Sequence, residues 1–204
     1  MTSRDVEIVL FDLGGVLYDP GGVGPMRELT GIGSDEDLWG RWLTCRWVRS
    51  YERGHCTAAE FAAGVVEDWN LDLSPNDFLA AFGSWPRGPF DGADTLLGEV
   101  RAVASVGCLS NTNPLHWDTH FTRWPLLHEL DFRFLSFELG MVKPDPEIFA
   151  AVGAQLPAPP ARVLFLDDNL VNVDAAAEAG FVARHTRGVE AAREILVTLG
   201  ILAQ

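Results

Sequence analysis

Polar residues that can do chemistry together occur at four separate points of this 204-residue sequence. Asp12, the segment 110–112 (Ser-Asn-Thr) and the segment 167–169 (Asp-Asp-Asn) each follow an apolar run, and Lys143 is the only lysine among 15 basic residues. A carboxylate can act as a nucleophile, and further carboxylates are hard oxygen ligands suited to Mg²⁺. A lysine and a hydroxyl can neutralise and hold a transferring phosphoryl group. These residue types therefore predict metal-assisted phosphoryl transfer.

Each of these stretches also has an ordinary structural explanation when it is taken alone. An Asp after an apolar run commonly caps a helix or begins a turn, and Ser-Asn-Thr is a typical turn sequence. Lys143 is a compact point charge in a chain that otherwise uses Arg, although one residue does not exclude chance. The combination is more specific than any member, because the ends of parallel strands meet at one edge of a sheet.

Apolar runs that alternate with helical patterns must position these residues. Short apolar runs bounded by Gly, Pro and Asp are typical of buried parallel strands. They occur at 6–11, in the second half of 103–110, and at 132–137, 163–166 and 181–184. The helices between them predict an α/β fold with a doubly wound, parallel, Rossmann-like sheet, whose ligands bind beyond the carboxyl ends of the strands.

A long insertion interrupts this alternation after the first strand. Helix-start signals, in which Ser or Thr precedes acidic residues or proline, occur at 34–37, 57–60 and 74–77. Residues 20–90 are therefore predicted to form a small helical cap domain. The segments 1–19 and 91–204 are predicted to form the α/β core domain.

Four motifs, in order and in strand context, resemble the haloacid dehalogenase superfamily of aspartate-nucleophile phosphohydrolases. They are FDLGGVLYD at 11–19, LSNTN at 109–113, GMVKPDPEIF at 140–149 and LFLDDNLVNVDAAAEAG at 164–180. The helical insertion resembles the cap of subfamily I. Within the superfamily, the sequence is most similar to the group of alpha-D-glucose-1-phosphate phosphatase-like members.

The resemblance implies a Mg²⁺ cofactor and a set of metal ligands. Asp12 would be both the nucleophile, forming an aspartyl-phosphate, and a ligand of the ion. Asp167 would be a second ligand, and Asp168 would lie close by or bind through water. The backbone carbonyl of Gly14 would complete the set.

The resemblance also implies how a small phosphate ester is held. Ser110 and the Asn111 amide would hold the phosphoryl group, and Lys143 would bridge it to Asp12. His116 follows this segment closely, and we expect it to contact the substrate or donate a proton.

Position 14 departs from the superfamily pattern. Most superfamily phosphatases carry a second Asp two residues after the nucleophile as general acid and base, whereas this chain has Gly14. Such catalysis is typically worth about 10²–10⁴-fold. We therefore expect a leaving group that needs little protonation, such as the anomeric oxygen of a sugar 1-phosphate.

Two alternatives to a phosphatase are considered. They are a metal-independent 2-haloacid dehalogenase and a non-catalytic relative that binds phosphorylated ligands.

Composition excludes several other classes of function. The net charge of −14 argues against nucleic acid and anionic membrane as partners, since both need clustered Lys and Arg. The sequence has no apolar run of about 18 residues, so no membrane span is expected. Three cysteines without a CxxC pattern favour a reduced, cytoplasmic setting.

Overall fold

A computed structural model describes residues 6–203, apart from the side chain of Leu126. Residues 1–5 and 204 of the predicted core segments lie outside the described residues. The strands are β1 (Ile8–Phe11), β2 (Tyr18–Asp19), β3 (Gly88–Pro89), β4 (Ser105–Ser110), β5 (Phe132–Leu135), β6 (Val163–Asp167) and β7 (Val182–His185). Five of them form one parallel sheet in the order β5-β4-β1-β6-β7. This confirms the predicted doubly wound α/β sheet.

Helices cover both faces of this sheet. They are α6 (Ala93–Arg101), α7 (Pro114–Thr119), α8 (Ser136–Leu139), α9 (Pro146–Gln155), α10 (Leu170–Glu178) and α11 (Gly188–Thr198). Alternate residues of β1 point to opposite faces, as in any strand. Val9 and Phe11 join the apolar cluster that includes α6 and α11, and Ile8 and Leu10 join the cluster that includes α9 and α10. A strand buried on both faces explains the continuous apolar run in the sequence.

The insertion after the first strand is helical. It contains α1 (Val23–Thr30), α2 (Asp35–Thr44), α3 (Arg46–Glu52), α4 (Ala58–Trp69) and α5 (Pro75–Gly83). Ser34, Thr57 and Ser74 cap α2, α4 and α5, as their sequence signals predict. These helices share an apolar cluster of their own, in which the Trp42 ring lies 5.7 Å from Trp85. Strands β2 and β3, which pair where the chain enters and leaves the insertion, were not predicted because each has two residues.

One predicted strand ends earlier than expected. The alternating pattern at 132–137 predicts strand throughout, but β5 stops at Leu135 and Ser136 begins α8. The Ser136 hydroxyl donates to the Thr112 carbonyl over 3.0 Å and accepts from the Thr112 N–H over 2.9 Å. These two bonds tie α8 to the loop that follows β4, so a tertiary contact overrides the local pattern.

None of the helices within residues 6–203 is long and apolar enough to cross a membrane. Cys45, Cys56 and Cys108 are all free thiols. The cytoplasmic setting stays a prediction.

Two glycines inside helices provide a test of the packing in the insertion. A Cβ built on Gly64 of α4 would lie 2.1 Å from the fused ring of Trp47, whereas Gly98 of α6 is exposed with open space around its Cβ position. We expect Gly64→Ala to lower the free energy of unfolding by about 1–3 kcal/mol through overpacking. Gly98→Ala should raise it by roughly 0.5–1 kcal/mol because Ala favours helix. Chemical denaturation measures both, and a stabilised Gly64→Ala variant would contradict this packing.

Candidate active site

The polar residues identified in the sequence meet at one edge of the sheet. Asp12 follows β1 directly, while Ser110 and Asp167 are the last residues of β4 and β6, the two neighbours of β1. The Asp12 N–H donates to the Leu166 carbonyl over 2.8 Å, which extends the parallel ladder to the site. The structure therefore brings these three side chains together through strand order alone.

Lys143 lies at the centre of this group. Its Nζ donates to Asp167 Oδ2 over 2.6 Å and to the Leu109 carbonyl over 2.9 Å, and lies 3.1 Å from Asp12 Oδ2. The side chain is only 1% exposed. Burial alone would lower the pKa of Lys143, but Asp12 and Asp167 outweigh it and raise the pKa above its usual value. The ammonium group therefore stays charged inside the protein.

The loop that carries Lys143 is held by Asn111. The Asn111 side-chain amide donates to the Lys143 carbonyl over 2.9 Å, and its oxygen accepts from the Lys143 N–H over 2.9 Å. This pair of bonds fixes the lysine backbone beside β4. Because these bonds occupy its side chain, Asn111 would contact a phosphoryl group through its backbone N–H. This contact stays a prediction.

Three carboxylates crowd the site. Asp12, Asp167 and Asp168 each offer an oxygen within 4.8 Å of the others. Burial raises the pKa of Asp12 to about 7; Lys143 opposes this effect, and Asp167 and Asp168 add to it. Burial also raises the pKa of Asp168. Hard oxygen donors that share excess negative charge fit a bound Mg²⁺, which would relieve their repulsion.

The hydrogen bonds distinguish the two carboxylates after β6. Asp167 accepts from the Asn169 N–H over 2.8 Å and from the Asn172 amide over 3.0 and 3.1 Å, in addition to Lys143. No hydrogen bond reaches the Asp168 carboxylate from residues 6–203. A Cβ at Gly15 would lie 2.1 Å from Asp168 Oδ2, so only glycine leaves room for that carboxylate.

These groups form the floor of a cavity of about 190 Å³ between the sheet edge and the helical insertion. Asp12, Gly14, Ser110, Asn111 and Lys143 line it from the sheet side. The insertion lines it with mainly apolar side chains, which include Leu38, Trp39, Trp42, Phe82 and Trp85. The cavity thus combines a charged floor with an aromatic roof.

His116 also lines the cavity, but its ring is bound to the protein. Its Nε2 donates to the Phe82 carbonyl over 2.8 Å, and its Nδ1 lies 3.3 Å from the Asn113 amide nitrogen. Burial lowers the pKa of His116 to about 4. The neutral ring therefore connects α7 to the end of α5, and its contact with substrate stays a prediction.

An ion-pair cluster that sequence reasoning missed joins the insertion to the sheet domain. Arg49 of α3 donates to Asp145 Oδ1 over 2.6 Å, and Arg53 pairs with Asp145 Oδ2. Asp145 lies two residues after Lys143. Sequence reasoning also missed Glu52, the last residue of α3, which lines the cavity from the insertion. Partners that are 92 and 96 residues apart leave no local signal.

The fold, a Rossmann-like sheet with a polar cavity at one edge, is that of a hydrolase. The model of the haloacid dehalogenase-like hydrolase family matches residues 6–180. The chain belongs to this family.

Named relatives include two phosphatases. The D-ribitol-5-phosphate phosphatase of Bacteroides thetaiotaomicron is 28% identical over 185 residues, which cover 86% of this chain and 89% of that protein. The pyrimidine 5'-nucleotidase YjjG of Escherichia coli is 29% identical over 128 residues, covering 60% of this chain and 56% of that protein. A crystal structure of a haloacid dehalogenase family enzyme from Bacteroides thetaiotaomicron, in complex with magnesium and inorganic phosphate, superimposes with a TM-score of 0.68. It is 26% identical, with 89% of this chain and 94% of that chain covered.

The neutral His116 makes stability depend on pH. Its pKa is about 4 in the folded chain against an ordinary 6.5, so the unfolded chain binds the proton more tightly. The His116 contribution to stability should therefore fall as the pH drops below about 6.5, by up to about 2 kcal/mol between pH 7 and pH 5. Asp12 and Glu52, whose pKa values burial raises to about 7, act in the opposite direction over this range, so the His116 contribution is measured as a difference between variants. In denaturant titrations, going from pH 7 to pH 5 should cost the wild type more stability, or gain it less, than His116→Gln, and the exposed control His128→Gln should follow the wild type. Equal changes in the wild type and His116→Gln would contradict the assignment.

Proposed function

We propose that the chain is a Mg²⁺-dependent phosphatase of small phosphate monoesters that works through an aspartyl-phosphate on Asp12. The observation that carries this proposal is the Asp12 carboxylate at the cavity floor, beside one buried ammonium group and two further carboxylates. The phosphatase relatives and the magnesium–phosphate complex of a family enzyme support it.

The metal would be held by carboxylate oxygens and the Gly14 carbonyl. Asp12 and Asp168 have the carboxylate oxygens least occupied by protein donors, so the contacts favour them as direct ligands. Asp167 is already saturated by Lys143, Asn169 and Asn172, which favours a role in orienting the lysine. This assignment of ligands differs from the sequence prediction, in which Asp167 binds the metal directly. Bound Mg²⁺ supplies positive charge that offsets the developing charge on the phosphoryl oxygens.

The chain's own residues orient the reaction. Leu13 donates its N–H to Asp12 Oδ1 over 2.7 Å, and Lys143 lies 3.1 Å from Oδ2, so the nucleophile is fixed in one rotamer. Ser110 and the Asn111 N–H hold the phosphoryl oxygens beyond the strand end. A pre-oriented nucleophile and fixed positive charge lower the barrier without rearrangement during the reaction.

The substrate class follows from the size and lining of the cavity. A volume of about 190 Å³ is below the roughly 300–1,000 Å³ of sites for drug-sized ligands, which favours a small ester over a nucleotide. Aromatic rings in the roof suit the faces of a sugar or sugar alcohol. We therefore propose sugar and sugar-alcohol phosphates as substrates. The sugar 1-phosphate expected from Gly14 and the similarity to glucose-1-phosphate phosphatases stay narrower predictions within this class.

The dehalogenase alternative does not explain the two neighbouring carboxylates of Asp167 and Asp168. A carboxylate that displaces halide from carbon uses no metal, so Asp168 beside Asp12 would only disfavour the ionised nucleophile. Halide release from 2-chloropropionate in the presence of EDTA would reverse this assignment.

The first test removes the nucleophile. We expect Mg²⁺-dependent hydrolysis of 4-nitrophenyl phosphate to fall to background in Asp12→Asn and in wild-type protein treated with EDTA. Mg²⁺ should also raise the melting temperature of the wild type, because it binds only the folded site, and this shift should be smaller in Asp12→Asn.

The matched control is Asp174→Asn, which removes an exposed carboxylate from α10. It should keep both the turnover and the Mg²⁺-dependent shift of the wild type. Binding of Mg²⁺ and phosphate without turnover of any ester by the wild type would instead favour a non-catalytic phospholigand-binding protein.

The second test compares ester classes at equal Mg²⁺. We expect kcat/KM for D-ribitol 5-phosphate or glucose 1-phosphate to exceed that for nucleoside 5'-monophosphates by at least about tenfold, the equivalent of roughly 1.4 kcal/mol. Release of inorganic phosphate measures each rate. A preference for nucleotides would contradict the proposed substrate class.

A further inference from the structure

Most phosphatases of the superfamily carry their general acid and base two residues after the nucleophile, where this chain has Gly14. Gly14 lines the cavity, yet its surroundings do not exclude a side chain, because a Cβ built there meets only Pro20 Cβ at 4.0 Å. Proton transfer to a leaving alkoxide must therefore come from another group or be dispensable. The cavity offers one further carboxyl group, from the opposite side.

That carboxyl group belongs to Glu52, the last residue of α3. Two independent contacts fix the end of this helix against the sheet domain. Arg49 and Arg53 both pair with Asp145, two residues from Lys143. Immediately after the helix, Gly54 has a φ of +70° and lies so close to the Phe137 carbonyl that a Cβ would be 2.7 Å from its oxygen.

The carboxylate itself is uncommitted. Within residues 6–203, no hydrogen bond or ion pair reaches the Glu52 side chain, although two arginines lie on the same helix. The charged groups that act on it are Lys143 and Asp12 from the floor and Arg49 and Arg53 from α3 and its end. Glu52 is part-buried and lines the cavity, so its carboxylate faces the space where a ligand would lie and has no protein partner there. Its surroundings therefore suit a proton-transfer role.

We propose that Glu52 is the general acid and base of this phosphatase, supplied by the helical insertion in place of the missing side chain at position 14. The inference rests on the proposed phosphatase function and names a catalytic residue for it.

Over one turnover, Glu52 gives up one proton and takes one back. In the first step, an Asp12 oxygen forms a bond to phosphorus, the bond from phosphorus to the ester oxygen breaks, and the Glu52 carboxyl gives its proton to the departing oxygen. In the second step, water attacks phosphorus, Glu52 takes one proton from that water, and the bond to Asp12 breaks. The products are an alcohol and inorganic phosphate, and both side chains return to their starting states.

The electrostatics agree with this role. Burial raises the pKa of Glu52 to about 7, against the opposing effects of Lys143 and Arg49. A group with a pKa near the working pH is effective both as a donor and as an acceptor.

The experiment compares leaving groups in Glu52→Gln, a change that keeps the shape of the side chain. For D-ribitol 5-phosphate, whose alkoxide needs a proton, we expect kcat to fall by about 10²–10⁴-fold. For 4-nitrophenyl phosphate, whose leaving group needs none, the first turnover should change by less than about tenfold. The second step still lacks its base, so stopped-flow traces should show a burst of nitrophenolate followed by slow turnover.

Two further variants separate catalysis from structure. Glu67→Gln removes an exposed carboxyl from α4 in the same insertion and should behave as the wild type with both esters. Gly14→Asp, introduced into the Glu52→Gln background, should raise kcat for the alkyl ester at least about tenfold above that of Glu52→Gln alone. Position 14 has room for the added side chain.

Two results overturn the inference while leaving the proposed function intact. One is a Glu52→Gln rate within about threefold of the wild type on the alkyl ester. The other is an equal loss on both esters without a burst, which indicates a structural defect. Failure of the wild type to hydrolyse either ester contradicts the phosphatase function itself, and with it this inference.

Discussion

The buried ammonium group of Lys143 is the interaction on which the site depends. Removing a charge from water is costly unless good partners replace the lost hydration. Here the partners come from three adjacent strands, namely Asp12 after β1, the Leu109 carbonyl of β4 and Asp167 at the end of β6. One cation thus fixes the relative position of the strand ends that carry the chemistry. Because the cation is nearly inaccessible, each partner lost would leave an uncompensated charge rather than a solvated one.

That cation does not balance the charge around it. Three carboxylates face one ammonium group, and the raised pKa of Asp12 reflects both burial and this excess. A protein with a net charge of −14 must nevertheless attract an anionic ester. A divalent cation held by these carboxylates would offset both effects locally, since it would favour the ionised form of Asp12 and supply the positive charge that the surface lacks. The overall acidity therefore does not argue against a small anionic ligand that binds at this cation.

The sequence predicts the floor of the site much better than its roof. Asp12, Ser110 and Asp167 end apolar runs, and the rule that parallel strands bring their ends together needs no knowledge of side-chain contacts. Glu52 has no such signal, because its position depends on ion pairs between α3 and Asp145 that span more than 90 residues. The same holds for Ser136, whose bonds to Thr112 turn a predicted strand residue into the start of a helix. Patterns of local periodicity carry no information about such contacts.

The segment from Lys143 to Asp145 couples the two parts of the protein. Its first residue organises the floor, and its last binds the arginines of α3, so the floor and the insertion share one anchor. A proton donor on the insertion is useful only if its distance from the nucleophile is controlled, and this anchor controls it. A carboxyl group at position 14 would instead be fixed to the nucleophile by two peptide bonds and would act wherever the insertion lay. Placing the acid on α3 makes proton transfer depend on the ion pairs that hold the insertion against the sheet domain.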